Sequence, residues 1–119
     1  MSSGVKVKNT IPESEVIREV KEVIRITGLK LQRINTGSFA IGEGRSKRFI
    51  KTAEAGTLDF EGYDNRGRHV GIECKRPVGG RLSDAQAVRI DDINGKGGVA
   101  FVVRSGAEAM ELLKINKCI

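Results

Sequence analysis

Apolar positions recur at three- and four-residue spacing over residues 11–27, IPESEVIREVKEVIRIT, where Val16, Val20 and Val23 share a stripe with Ile17 and Ile24. Glu15, Glu19 and Glu22, interleaved with Arg18, Lys21 and Arg25, occupy the opposite side. This pattern predicts an amphipathic helix. Thr10 and Glu13 stand at capping-box spacing, Pro12 suits the first turn and Gly28 is a natural stop. The pattern then changes. Residues 29–34, LKLQRI, alternate as a strand does, and Asn35-Thr36-Gly37 ends it. Residues 38–56 follow no single period. They combine glycines with the basic residues Arg45, Lys47, Arg48 and Lys51, and Phe49-Ile50 offers either an anchor or a short strand.

From Thr57 the pattern sharpens. TLDFEGYDNRGRHVGIECKRP predicts strands at 57–63 and 68–76 joined by a turn at 64–67, with Asp59 on the first strand. Pro77 and Gly79-Gly80 then open a loop. Ser83 and Gln86 form a second capping-box pair, predicting a helix over 83–94 lined by Ala87, Val88 and Ile90. Gly98–Val103, GVAFVV, is a continuous apolar run that predicts a buried strand. Ser105 with Glu108 opens a last helix at 105–115. The order α-β-β-β-α-β-α, with a variable stretch after the first strand, predicts one α/β domain over 11–119. Its expected architecture is a mixed sheet flanked by helices. Residues 1–10 read as a flexible N-terminal segment.

Composition adjusts this picture in three ways. The chain has 119 residues, enough for one core and not for two. It has no Trp, one Tyr and four Phe, so that core must be built mainly of Val, Ile, Leu and Ala. The net charge of +6 favours a polyanionic partner. Cys74 and Cys118 form no CxxC motif and do not read as a disulfide, which fits a reducing, cytoplasmic setting. Neither a signal peptide nor an apolar run of membrane length stands out, and no membrane partner is expected.

The chemistry is narrowed by what is missing. His69 is the single histidine. A histidine-rich metal site and paired-histidine nuclease motifs are therefore excluded, and His69 reads as a solvent-facing strand residue. Gly95-Lys96 is followed by Gly97 rather than Ser or Thr, so there is no phosphate-binding P-loop and no small-molecule cofactor is implied. On the positive side, side chains of a strand alternate faces, which puts Glu73 and Lys75 on one side and Cys74 on the other. Pairing of the two strands brings Asp59 to the face of Glu73 and Lys75. Two carboxylates beside a lysine can hold a hard cation such as Mg2+ or Mn2+ and position a water. The backbone carbonyl of Cys74 is a third candidate oxygen ligand. The plain alternative is a surface ion pair between Glu73 and Lys75, and a short D…ExK spacing alone does not decide between them.

The wider set does more. Gly56-Thr57-Leu58-Asp59, Gly71-Ile72-Glu73-Cys74-Lys75, Leu82-Ser83-Asp84-Ala85-Gln86 and Gly97-Gly98-Val99-Ala100 together resemble the virus-type replication-repair nuclease (VRR-NUC) domain. That domain is a branch of the PD-(D/E)XK superfamily. Glu15 and Arg33-Ile34-Asn35-Thr36-Gly37 also match its pattern, so the resemblance spans about residues 13–108. It implies a restriction-endonuclease-like fold and a Mg2+- or Mn2+-dependent DNA endonuclease. Asp59 and Glu73 would bind metal and Lys75 would serve the water. Gln86 would stand beside them from the next helix, and Glu15, with Glu19 as competitor, would complete the site from the first helix. The family's proline before the metal aspartate is Leu58 here.

Arg45, Lys47, Arg48, Lys51 and Asn35 are the candidate DNA contacts, with Arg66, Arg68, Arg76 and Arg81 as secondary ones. The scarcity of aromatic residues favours duplex or branched DNA over single-strand reading. The resemblance implies a homodimer that resolves four-way junctions. A flap or nicking nuclease, or a non-catalytic DNA-binding module on the same fold, are the alternatives.

Overall fold

A computed structural model describes residues 10–34, 54–119 and Gly44, together with the backbone of 38–41 and 48–51. Among the described residues the chain forms three helices and six strands. They are α1 (Glu13–Thr27), β1 (Lys30–Arg33), β2 (Ser38–Ile41), β3 (Arg48–Lys51), β4 (Phe60–Tyr63), β5 (His69–Cys74), α2 (Asp84–Gly95), β6 (Val99–Val103) and α3 (Gly106–Ile115).

The main sheet has four strands in the order β1-β4-β5-β6. The first two pairings are antiparallel and β5–β6 is parallel, with α2 as the crossover. This is a mixed sheet in an α/β fold, in the order the apolar pattern predicts. The stretch that followed no period adds two strands: β2 and β3 pair antiparallel in a sheet of their own, with Phe39 opposite Ile50 and Ala40 opposite Phe49.

The sheet divides its side chains between two cores. On one face Phe60, Val70, Ile72 and Cys74 pack with Val16, Val20 and Val23 of α1 and with Ala109 and Leu113 of α3. On the other, Leu58, Ala100 and Ile93 form a smaller cluster under α2, with Ile90 against it. α1 and α3 meet closely. A Cβ on Gly106 would lie 2.9 Å from the Glu19 Cβ, and the backbone N–H of Gly106 donates to Glu19 Oε1 at 2.8 Å.

The helix signals hold with local changes. Gly28 ends α1 in the left-handed conformation, φ 73°, and the Ser83–Gln86 capping box forms. α1 starts at Glu13 with Pro12, not Thr10, as its cap residue. At α3, Ser105 accepts from the Glu108 N–H as expected, but the Glu108 carboxylate accepts from the N–H of Arg104 rather than Ser105. On α2 the apolar stripe read from Ala87, Val88 and Ile90 is displaced. Val88 is 67% exposed and Ile93 is the buried residue, because Gln86 and Arg89 set the helix rotation through polar bonds to the sheet.

The turn at 64–67 forms as expected. Asp64 Oδ1 accepts from the N–H groups of Arg66 and Arg68, and Gly67 sits at φ 78°. Cys74 and Cys118 are both buried and unpaired. No described helix is long and apolar enough to cross a membrane.

Candidate active site

Asp59 lies one residue before β4 rather than within it. The β4–β5 ladder ends at Phe60–Ile72, and beyond it carboxylates take over the backbone bonds. The Asp59 N–H donates to Glu73 Oε1 at 3.0 Å, and the Cys74 N–H donates to Asp59 Oδ2 at 2.8 Å. On the other side the Asp59 carbonyl accepts from the Ile34 N–H at 2.7 Å. Each acidic side chain thus closes a gap in the sheet, and the two carboxylates are held beside one another.

Glu73 is the centre of the cluster. It is 2% exposed, on the sheet face beneath α2. Gln86 Nε2 donates to its Oε2 at 2.8 Å and Lys75 Nζ lies 3.0 Å from the same oxygen. Gln86 therefore has two roles: its Oε1 accepts from the Ser83 N–H to complete the helix cap while its Nε2 reaches Glu73. Lys75 lies just past the end of β5, and its N–H bonds to Val103 O on β6. Backbone groups of alternate strand residues point to opposite neighbours. With Lys75 bonded to β6 and Cys74 bonded to Asp59, the Cys74 carbonyl is directed to the Asp59 side. The Cys74 side chain lies in the core of the opposite face, where burial, followed by the charges of Asp59 and Glu73, pushes its thiol pKa far up. It is no nucleophile at neutral pH.

The electrostatics are unbalanced. Burial first, and then the Asp59 charge, push the Glu73 carboxyl up to about 7, against the opposing pull of Lys75. Arg33 is the other cation nearby: its Nη1 is 3.7 Å from Asp59 Oδ1, and its guanidinium lies over the Phe60 ring at 5.9 Å. Sequence reasoning missed Arg33 as a site residue, although its place next to the β1 end was visible. Its register opposite Phe60, beside Asp59, is a product of sheet pairing.

Gly56 fixes the approach to this cluster. It has φ +88°, and a Cβ there would lie 2.7 Å from the carbonyl oxygen of Ala85 on α2. No side chain fits between the loop that carries Asp59 and the helix that carries Gln86.

A second buried carboxylate occupies the same sheet face. Glu61, 5% exposed, accepts from the Leu58 N–H at 2.9 Å, from Arg89 Nε and Nη2 at 3.1 and 2.6 Å, and contacts His69 Nε2 at 2.7 Å. Burial pushes its pKa up, but the bonds from Arg89, Leu58 and His69 outweigh burial and hold it below the usual value. His69, read as solvent-facing, is half-exposed and committed to Glu61. A proline at position 58 would have no N–H and would leave Glu61 one donor short.

Other expected residues stand apart. Glu15 is ion-paired with Arg18 on the exposed side of α1, which lowers its pKa, and it makes no described bond to Asp59, Glu73 or Lys75. Glu19 caps α3 through Gly106. Arg68 serves the fold: it binds Asp64 and the carbonyls of Asn116 and Lys117, tying the turn to the end of α3. Asn35, Arg45 and Lys47 lie outside the described residues, as do the side chains of Arg48 and Lys51.

Among the described residues no group of three or more His, Cys, Asp or Glu side chains is arranged to hold a metal. The donor set that does exist, two adjacent carboxylates and a backbone carbonyl, is all oxygen. It suits a hard dication that keeps several of its waters. Comparison with protein-family models, with curated proteins and with solved structures gives no match.

Proposed function

We propose that the chain is a metal-dependent DNA endonuclease with a PD-(D/E)XK-type site of the VRR-NUC kind. The observation that carries this reading is the meeting of Asp59, Glu73, Lys75 and Gln86, from three separate elements, through contacts of 2.8–3.0 Å about one buried carboxylate. Spacing alone could not distinguish a working D…ExK…Q set from a surface ion pair. Burial of Glu73 among Asp59, Lys75 and Gln86 favours the former.

Asp59 and Glu73 would hold Mg2+ or Mn2+, with the Cys74 carbonyl as a further oxygen. A bound dication supplies charge neutralisation at a phosphate and a water of lowered pKa. The residues of the chain do the rest. Gln86 fixes the orientation of Glu73 by donating to Oε2, so the carboxylate presents a constant geometry. Lys75, largely buried and paired with Glu73, carries a positive charge within the site. It orients the attacking water and stabilises charge developing on the phosphate. Arg33, beside Asp59, offers a second fixed charge to an incoming phosphodiester.

A homodimer acting on a four-way junction is the preferred substrate arrangement, because the two-fold symmetry of such a dimer would place two sites on opposed strands. The deciding experiment is cleavage of a labelled four-way junction in Mg2+, Mn2+ or EDTA, native chain against Asp59→Ala. Symmetric, metal-dependent cuts that the variant loses are the expected result. Cutting of flaps or nicking of plain duplex instead would keep the chemistry and replace the substrate. Tight binding without cuts in either metal would leave a binding module with Asp59 and Glu73 as structural charges. Monomeric behaviour at micromolar concentration would remove the symmetric-dimer reading.

A further inference from the structure

A cleft lies away from Asp59 and Glu73. It is an open groove of about 460 Å³ on the same sheet face, between the start of β5 and the C-terminal half of α2. Arg68, His69, Arg89, Asp92 and Lys96 line it with the backbone of Gly97-Gly98. His69 and Glu73 are four residues apart on β5, so the groove lies about 13 Å along the strand from the candidate active site.

Its cations are held from behind. The Asp64 carboxylate, with a fully buried side chain, binds Arg68 Nε at 2.8 Å. The buried Glu61 binds Arg89 through Nε and Nη2 and orients the His69 ring. The anions that fix Arg68 and Arg89 are thus withdrawn from solvent, and the Asn116 and Lys117 carbonyls also hold Arg68 Nη2, which leaves Nη1 of each guanidinium with no bond among the described residues. Lys96, 76% exposed, adds a third positive charge at the mouth. Asp92 is the opposing group: it lines the groove, is 54% exposed and pairs with Lys96 at 2.9 Å. Guanidinium groups fixed in position by buried carboxylates recognise phosphate with little loss of side-chain entropy. A groove of this volume accommodates a phosphorylated small molecule or a short length of nucleic-acid backbone.

We propose that this groove binds a phosphate group through Arg68, Arg89 and Lys96, whether or not the chain cleaves DNA. The test uses the full chain, 15N-labelled, at fixed ionic strength, titrated separately with inorganic phosphate, a 5′-mononucleotide and a short duplex DNA. Saturable shifts of the Gly67, Gly97 and Gly98 amides are expected. Lys96→Glu should weaken phosphate binding about tenfold, and Asp92→Asn, which removes the opposing charge, should tighten it about threefold. Both positions are exposed, and the gain from Asp92→Asn cannot come from misfolding. Competition of the duplex for the groove would identify backbone phosphate as the ligand. Mononucleotide binding that the duplex does not displace would identify a small phosphorylated ligand. Shifts that never saturate, shifts confined to other surfaces, or an unchanged affinity in Asp92→Asn would overturn the proposal.

Discussion

Glu61 and Glu73 are both buried carboxylates on one face of the same sheet, yet their surroundings differ in sign. Glu61 is met by Arg89, the Leu58 N–H and His69, and its pKa is held down. Glu73 is met by one lysine, one neutral amide, one backbone N–H and a second carboxylate, and its pKa is pushed up to about 7. Buried charge is tolerated only with compensation. Where the fold supplies the compensation itself, as at Glu61, the carboxylate is part of the scaffold. At Glu73 the compensation is a single lysine set against a neighbouring carboxylate, and burial leaves the acid with a raised pKa.

The sharpest way to break this contrast is activity. Glu73→Gln or Lys75→Ala should lower junction cleavage roughly 10²- to 10⁴-fold, measured under single-turnover conditions. Glu61→Gln should leave the cleavage rate per folded molecule within a few-fold. Comparable losses at Glu61 and Glu73 would erase the distinction.

Stability should respond the other way. Arg89→Ala strips Glu61 of its guanidinium partner and two hydrogen bonds and should cost about 3–5 kcal/mol in denaturant unfolding. Arg33→Ala, beside an Asp59 that keeps its Cys74 bond, should cost about 1 kcal/mol.

The pH dependence of the metal-free protein separates the two acids by sign. Glu73 has a folded pKa of about 7 against an ordinary 4.5, so the folded state binds the proton more tightly than the unfolded chain. Its contribution to stability is fully present below 4.5 and is lost as pH rises through about 7, a decline of about 3 kcal/mol at 1.36 kcal/mol per unit. Glu61 runs the opposite way: its depressed pKa gives stability that is present above the ordinary value and is lost as pH falls through the folded one. Unfolding curves between pH 5 and 8 should therefore flatten in Glu73→Gln and keep their slope in Glu61→Gln. Mg2+ should raise the melting temperature more at pH 8 than at pH 6, since proton and metal compete for Glu73.

A further substitution tests the residue before Asp59. Leu58→Pro restores the residue the nuclease pattern carries but removes one donor from Glu61. It should cost about 1–3 kcal/mol from the lost buried bond, with the Leu58 packing lost in addition. A neutral result would mean that Glu61 finds another donor.

The sequence by itself determined the order of elements and which face of each strand is apolar, because periods of two and 3.6 are properties of a chain's own backbone geometry. Val16, Val20 and Val23 are buried as their spacing requires, and the cap at Ser83–Gln86 is where local chemistry puts it. Glu73 and Lys75 on one face, with Cys74 on the other, also follow from alternation. What failed was local signal contradicted at a distance. Val88 is exposed because Gln86 and Arg89 turn α2 toward two sheet carboxylates. Glu15 was selected by its motif position, but its side chain meets Arg18 on the helix surface.

Only the tertiary structure decided that Arg33 stands by Asp59, that His69 and Arg89 serve Glu61, and that the ladder stops where two carboxylates can replace it. Those relations join residues far apart in the chain. The charge balance around a buried acid depends on every neighbour that packing brings near it, which no window of sequence contains.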